Sequence, residues 1–469
     1  MHYVSTRGEA PELGFEDTLL AGLARDGGLY VPKSWPTLAS GAIAELAGKP
    51  FAEIATSVME PFVGEAVPKA ALLALARDAY ARFGHPAVTP LVQIDRNLWV
   101  LELFHGPTLA FKDVAMQLLA RLMDRALTLR NERATIVGAT SGDTGGAAIE
   151  AFRGSKRIQV IILYPQGRVS DVQRRMMTTA REGNVHAVAV EGTFDDCQAL
   201  VKAMFNDLAF RDRVKLAGVN SINWARVMAQ IGYYFAAATA LGAPHRPISF
   251  SVPTGNFGDI LAGYAARRMG LPVERLAIAT NDNDILARAR ATGVYEVRDV
   301  VATTSPSMDI QVSSNFERYL FEAAGRDAAW VRARMASLRQ SGRFELGDAL
   351  IPMQRDFDAA SASQDEVAEC IRRVKSESGY LLDPHTACGV VAAAKTPAGR
   401  GVPHVVLATA HPAKFPDAIA AITGERPALP PRLAALMSDP ERTTVLANDL
   451  AAVQRFVAEQ ARQVQGAAA

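Results

Sequence analysis

The chain has 469 residues, too many for one ordinary hydrophobic core, so two or three domains are expected. Hydrophobic residues make up 49% and charged residues 21%, a globular balance that excludes a disordered or fibrous protein. Fifty basic against 49 acidic residues leave a formal net charge of +1, which excludes a general field for nucleic acid or an anionic membrane; any phosphate binding must be local. Met1 to Arg7 carries no apolar signal core. Residues 1–95 read as a separate helical module, with a turn at Asp26–Pro32 leading into a short extended piece and helical patterns around 42–60 and 68–83. A structural cap is its plain reading.

From about residue 88 strands alternate with helices. Leu98–Leu103 is a short strand that delivers Phe104-His105-Gly106-Pro107-Thr108-Leu109-Ala110-Phe111-Lys112-Asp113. The apolar positions that follow (Val114, Ala115, Leu118, Leu119, Leu122, Met123) recur at helical spacing, which puts Lys112 at a helix N-terminus. The positive end of the helix dipole disfavours an ammonium there, and apolar surroundings bias the lysine toward the neutral amine that condenses with an aldehyde. An exposed first-turn lysine is the ordinary alternative.

Ala134–Thr140 reads as a strand before a helix beginning at Gly146, and Val160–Tyr164 and Val185–Val190 as buried strands, with a helix over 195–209. The uncharged run Val227–Pro244 approaches membrane-span length, but Gln230, two tyrosines and its alanines make it a buried core helix. Ile248–Val252 and Leu276–Thr280 are further strands, with a helix over 259–269. This alternation predicts an α/β fold with parallel sheet covered on both faces. Residues 300–380 break the rhythm and read as an insertion or lid of largely polar helices. The alternation resumes at His404–Thr409, and the last forty residues read as an Ala- and Arg-rich helical tail.

Two strand-to-helix loops present backbone N–H groups suited to anions. In Thr140-Ser141-Gly142-Asp143-Thr144-Gly145-Gly146, hydroxyls and amides are available for a carboxylate or phosphate. In Pro253-Thr254-Gly255-Asn256-Phe257-Gly258-Asp259, the amides of 256–259 converge, and Asp259 is expected to cap the helix with its carboxylate. Each is otherwise a tight turn, and neither matches GxGxxG or GxxxxGK[ST], which removes a dinucleotide dehydrogenase. Arg226, the last charge before the uncharged helix, is either half of a surface ion pair or a phosphate clamp. Thr409 ends a buried strand at the carboxyl edge of the sheet, where such folds bind ligands. The eight histidines show no metal-ligand spacing. Three separated cysteines (Cys197, Cys370, Cys388) argue against a disulfide framework and suit a reducing, cytoplasmic compartment.

Together these stretches resemble the threonine synthases, pyridoxal-phosphate enzymes of the tryptophan-synthase-β-like fold (fold type II). The resemblance rests on Tyr3–Gly8 with Asp26–Pro32, His105–Asp113, Ala139–Gly145, Ser251–Asp259, Ser305–Arg318 and Gly401–Phe415. It implies two mostly parallel sheet domains and a small helical N-terminal domain at 1–95. Within the core at 96–469, about 130–240 would form a smaller subdomain covering the cofactor. Residues 96–129 and 241–469 would form the larger one, with an insertion at about 300–380.

The same resemblance implies a cofactor, pyridoxal 5'-phosphate, held covalently by Lys112, which then serves as general acid and base. Gly255, Asn256, Phe257, Gly258 and Asp259 would bind the cofactor phosphate, Thr409 its ring nitrogen, and Asp143 would also bind the cofactor. Ser141 and Thr144 would line the substrate side, with Ser221 and Arg226 on the leaving phosphate. The implied reaction turns O-phospho-L-homoserine and water into L-threonine and phosphate, in a monomer. A threonine or serine dehydratase, needing no γ-phosphate pocket, and a non-catalytic protein binding a phosphorylated ligand at the two loops are the other readings kept open.

Overall fold

The computed structural model describes residues 1–466, with side chains to residue 461. The chain opens with strands β1 (His2–Ser5), β2 (Leu13–Gly14) and β3 (Tyr30–Pro32), an antiparallel sheet in the order β2-β1-β3, before the helices Phe51–Val63 and Lys69–Tyr80. The N-terminal module is thus not purely helical. Strands β4 (Leu91–Asp95) and β5 (Leu98–Glu102) follow, then β6 (Ala134–Ala139), β7 (Ile158–Pro165), β8 (Val185–Glu191) and β9 (Leu216–Ala217). Next come β10 (Ile248–Pro253), β11 (Val273–Thr280), the hairpin β12 (Val294–Glu296) and β13 (Arg343–Glu345), β14 (Asp358–Ser361), β15 (His404–Ala408) and β16 (Thr444–Ala447).

Two sheets dominate. One runs β14-β11-β10-β15-β5-β4, parallel except for β4; the other runs β16-β8-β7-β6-β9 and is parallel throughout. All eight residues of β7 (Ile-Gln-Val-Ile-Ile-Leu-Tyr-Pro) are buried, as expected of a central strand with helices on both faces. The helix Trp224–Ala240, uncharged after Arg226, is buried along most of its length against Phe51–Val63. A Cβ on Gly232 would stand 3.3 Å from the Ala55 Cα, so the glycine lets these two helices approach closely. No helix among the described residues is long and apolar enough to cross a membrane.

Several expectations change. The helix after β6 starts at Asp143, not Gly146, and 195–209 is two helices, Phe194–Asn206 and Leu208–Val214, the second capped by Asp207. Residues 300–380 are not wholly an insertion, because β14 pairs with β11 inside the larger sheet. The tail is not wholly helical either: β16 pairs with β8, and the helix Leu450–Gly466 packs nearby through Val453 and Val457, so these residues join the smaller sheet rather than the larger subdomain.

Candidate active site

Lys112 begins the helix Lys112–Leu129, and its approach is shaped by its own motif. Asp113, fully buried, accepts from the Thr108 N–H and hydroxyl, both at 2.7 Å. A Cβ on Gly106 would lie 2.3 Å from the Asp113 Cβ, so only glycine permits that turn. Residues 109–111 lie against the end of β15: the His411 N–H donates to the Leu109 carbonyl at 3.0 Å and the Phe111 N–H to the Thr409 carbonyl at 2.8 Å. Lys112 is thereby held beside Thr409, and at 9% exposure it is not a solvated first-turn lysine. Burial pushes its amine below the usual lysine range; Asp143 opposes that shift, while Lys414 and Arg226 add to it.

Asp143 lies at the centre of a buried charge cluster. Its Oδ2 accepts from Lys112 Nζ and Ser307 Oγ, each at 3.2 Å. Its Oδ1 lies 2.6 Å from Lys414 Nζ and accepts from Gln173 Nε2 at 2.9 Å. Burial alone would raise this carboxyl, yet the two ammonium groups hold it well below the usual range.

Across the cleft, the turn after β10 leads into the helix Gly258–Arg268. Phe257 takes a left-handed conformation (φ +61°), held by packing against Phe316, Tyr319 and Phe357 at ring-centroid distances of 5.3–5.9 Å. The carbonyls of Gly255 and Asn256 point away, taken by the Ser313 hydroxyl at 2.6 Å and the Asn315 N–H at 3.0 Å. Among the described residues the N–H groups of 255–258 have no protein acceptor, so they remain for a ligand anion. Asp259 does not cap this helix. Its carboxylate turns inward to the hydroxyls of Tyr233 and Tyr234, and burial pushes it up to about 7.

One cleft of about 680 Å³, its open mouth included, is lined by Lys112, Thr144, Ser221, Arg226, Gly255 to Asp259 and Thr409. Arg226 is buried and forms no salt bridge among the described residues: it donates to the Val219 carbonyl at 3.1 Å, and its Nε is buried without a partner. That rules out the surface ion pair. Ser141 is not on the wall. It is exposed, and the Thr140 hydroxyl already takes the Gly142 and Gly145 N–H groups at 2.9 Å each, so this loop offers fewer free amides than its composition suggests.

Lys414, Gln173, Ser307 and His385 were not expected at the site. His385 lines the cleft, with Nδ1 2.8 Å from Asp383 Oδ1 and Nε2 accepting the Ser307 N–H at 3.2 Å. Asp383-Pro384 is a recognisable helix start, and Lys414 lies only five residues beyond Thr409; nothing local marks either as facing Lys112 or Asp143.

A buried lysine amine sharing a cleft with a turn of free N–H groups, on this parallel-sheet scaffold, fits a pyridoxal-phosphate-dependent enzyme, and residues 83–409 match the family described as "Pyridoxal-phosphate dependent enzyme". Residues 2–80 match "Threonine synthase N terminus" and 386–457 match "Threonine synthase, C-terminal". The chain belongs to the threonine synthase family. The threonine synthase of Pseudomonas aeruginosa is 53% identical over 461 residues, covering 98% of each chain, and that of Saccharomyces cerevisiae is 43% identical over 89% of this chain and 88% of its own. The crystal structure of PLP-bound threonine synthase from Brucella melitensis superposes with a TM-score of 0.96 at 60% identity, covering 98% of this chain and 100% of that one. The yeast threonine synthase structure gives 0.93 at 39% identity, covering 98% and 99%.

Proposed function

We propose that this chain converts O-phospho-L-homoserine and water into L-threonine and inorganic phosphate. The observation carrying this reading is that Lys112 shares one cleft with two separate anion positions, the 255–258 amides and a buried Arg226 with no carboxylate partner among the described residues. One suits a cofactor ester and the other a substrate phosphate. The donor set fits pyridoxal phosphate: Lys112 would hold its aldehyde carbon, the backbone of Gly255 to Asp259 its phosphate, and the Thr409 hydroxyl its ring nitrogen. When bound, the cofactor supplies an electron sink for charge left on carbon as protons depart.

Lys112 is the only lysine on the cleft wall among the described residues, so the transfers at the substrate's α and β carbons fall to its Nζ. Arg226 and Ser221 take up the charge that develops on the departing phosphate oxygen as the γ C–O bond breaks, and water then adds at the β carbon. Thr144 faces the substrate carboxylate. Thr409, a hydroxyl rather than a carboxylate, would leave the ring nitrogen unprotonated and the sink a softer one. A dehydratase would have no use for Arg226. We also propose a monomer working in the cytoplasm, in keeping with three unpaired thiols; a sizing column checks the former.

The test is phosphate release from phosphohomoserine against keto-acid formation from serine or threonine. Lys112→Ala should lose at least about 10²–10⁴-fold in turnover while keeping its far-ultraviolet spectrum. Parent-level turnover in that variant, with a bound chromophore, would end the assignment.

A further inference from the structure

We infer that Lys414 is a positioning residue for Lys112: as the close counter-ion of Asp143, it keeps that carboxylate paired when Lys112 gives up its proton. The inference rests on the proposed anchoring of the cofactor at Lys112.

One buried carboxylate stands between two lysines, and the two contacts are unequal. Lys414 Nζ lies 2.6 Å from Asp143 Oδ1, donates to the Thr108 carbonyl at 2.8 Å, and is 1% exposed. Lys112 Nζ lies 3.2 Å from Oδ2 and looks into the cleft. Gln173 and Ser307 complete the carboxylate's acceptor positions. When Lys112 becomes a neutral amine, Asp143 therefore still has an ammonium and two further donors. A buried ion pair that loses one member ordinarily leaves a costly lone charge; here the second lysine prevents it.

The remaining groups facing these amines do not do the same work. Arg226 repels an ammonium at Lys112, and Asp259 is largely neutral below about pH 7. Asp113 faces Lys414 and is committed to Thr108. Without Lys414, Lys112 would be the only cation on Asp143, and their attraction would hold the proton on Nζ.

The experiment mixes full-length protein, freed of cofactor, with pyridoxal phosphate and follows growth of the visible band between about pH 6 and 10, with borohydride trapping and peptide mapping of the product. For Lys414→Met, the midpoint of the capture-rate profile should move up by about one unit or more. That makes capture about tenfold slower at pH 7, with rates converging on the parent at high pH. Lys414→Arg, which keeps the charge, should retain the parent midpoint, and Asp143→Asn should move it down. A Lys414 with a purely structural role predicts slowing by one factor at every pH, and that result would overturn the inference.

Should Lys414→Met fail to fold by circular dichroism, Asp143→Asn decides: a midpoint that stays or rises overturns the idea. Parent protein trapped at a residue other than Lys112 overturns both this inference and the anchoring proposal. Trapping at Lys112 with unshifted midpoints overturns this inference alone.

Discussion

Asp259 shows how a single residue can leave a signature on the pH dependence of stability. Its carboxyl, pushed up to about 7 by burial against the pull of the Tyr233 and Tyr234 hydroxyls, titrates near 3.9 in an unfolded chain. Between about pH 4 and about 7 the folded protein holds a proton that the unfolded one has released, so stability falls as pH rises through that window. Asp259→Asn keeps the shape without the titration. In urea unfolding at a series of pH values the variant should lack that decline and be the more stable protein at pH 8; parallel slopes for the two proteins would place the proton elsewhere. At this scale the sequence was informative where chemistry is local. Lys112 was legible because an apolar helical repeat starts behind it, and the 253–259 turn because its glycines follow a buried strand. Asp259 was misread as a cap, since its partners Tyr233 and Tyr234 lie on another helix. Asp143's partnership with Lys414 was not legible for the same reason: most of the chain separates them, and only folding makes them neighbours.

At the scale of elements, the amide turn depends on the segment packed over it. A Cβ on Gly255 would stand 2.8 Å from the Ser307 carbonyl oxygen, 3.0 Å from Ile310 Cδ1 and 3.3 Å from the Met308 Cα. Two of these are backbone atoms and cannot rotate away. Gly255→Ala should therefore push the 305–310 segment off the turn, a misfit worth about 1–3 kcal/mol. The expected consequence is cofactor affinity about tenfold weaker or more, read by titrating the visible band; an unchanged dissociation constant would mean the segment yields freely. Long strands such as β7 announced themselves through unbroken apolar runs. Asp358-Ala-Ala-Ser361 did not, having no branched or aromatic residue, and it is a strand because β11 offers it an edge. Thr444–Ala447 was hidden similarly, by a composition that reads as tail.

At the scale of the molecule, the N-terminal residues are built into the catalytic body. Thr6 Oγ1 donates to Glu317 Oε1 at 2.7 Å, and Arg7 grips the same carboxylate through Nε at 3.0 Å and Nη2 at 2.9 Å. Arg318, fully buried, donates to the Tyr30 carbonyl at 2.9 Å and also bonds Asn315, whose N–H holds the Asn256 carbonyl. The core runs without a break from Tyr3 to Leu407. Order in the 255–258 turn is thus supported by the N-terminal residues through the segment 315–318.

The return of β16 to the smaller sheet has a mechanical side. The polypeptide crosses between the two sheets three times: from β5 to β6, from β9 to β10, and from β15 to β16. The two halves are laced together rather than strung on one thread, and no single scission frees either. A protease site engineered between Gly424 and Ala428, in the third crossing, should yield a nicked protein that elutes as one species and comes apart only in denaturant. Fragments separating in plain buffer would mean that the pairing of β16 with β8 and the packing of Val453 and Val457 carry no strength.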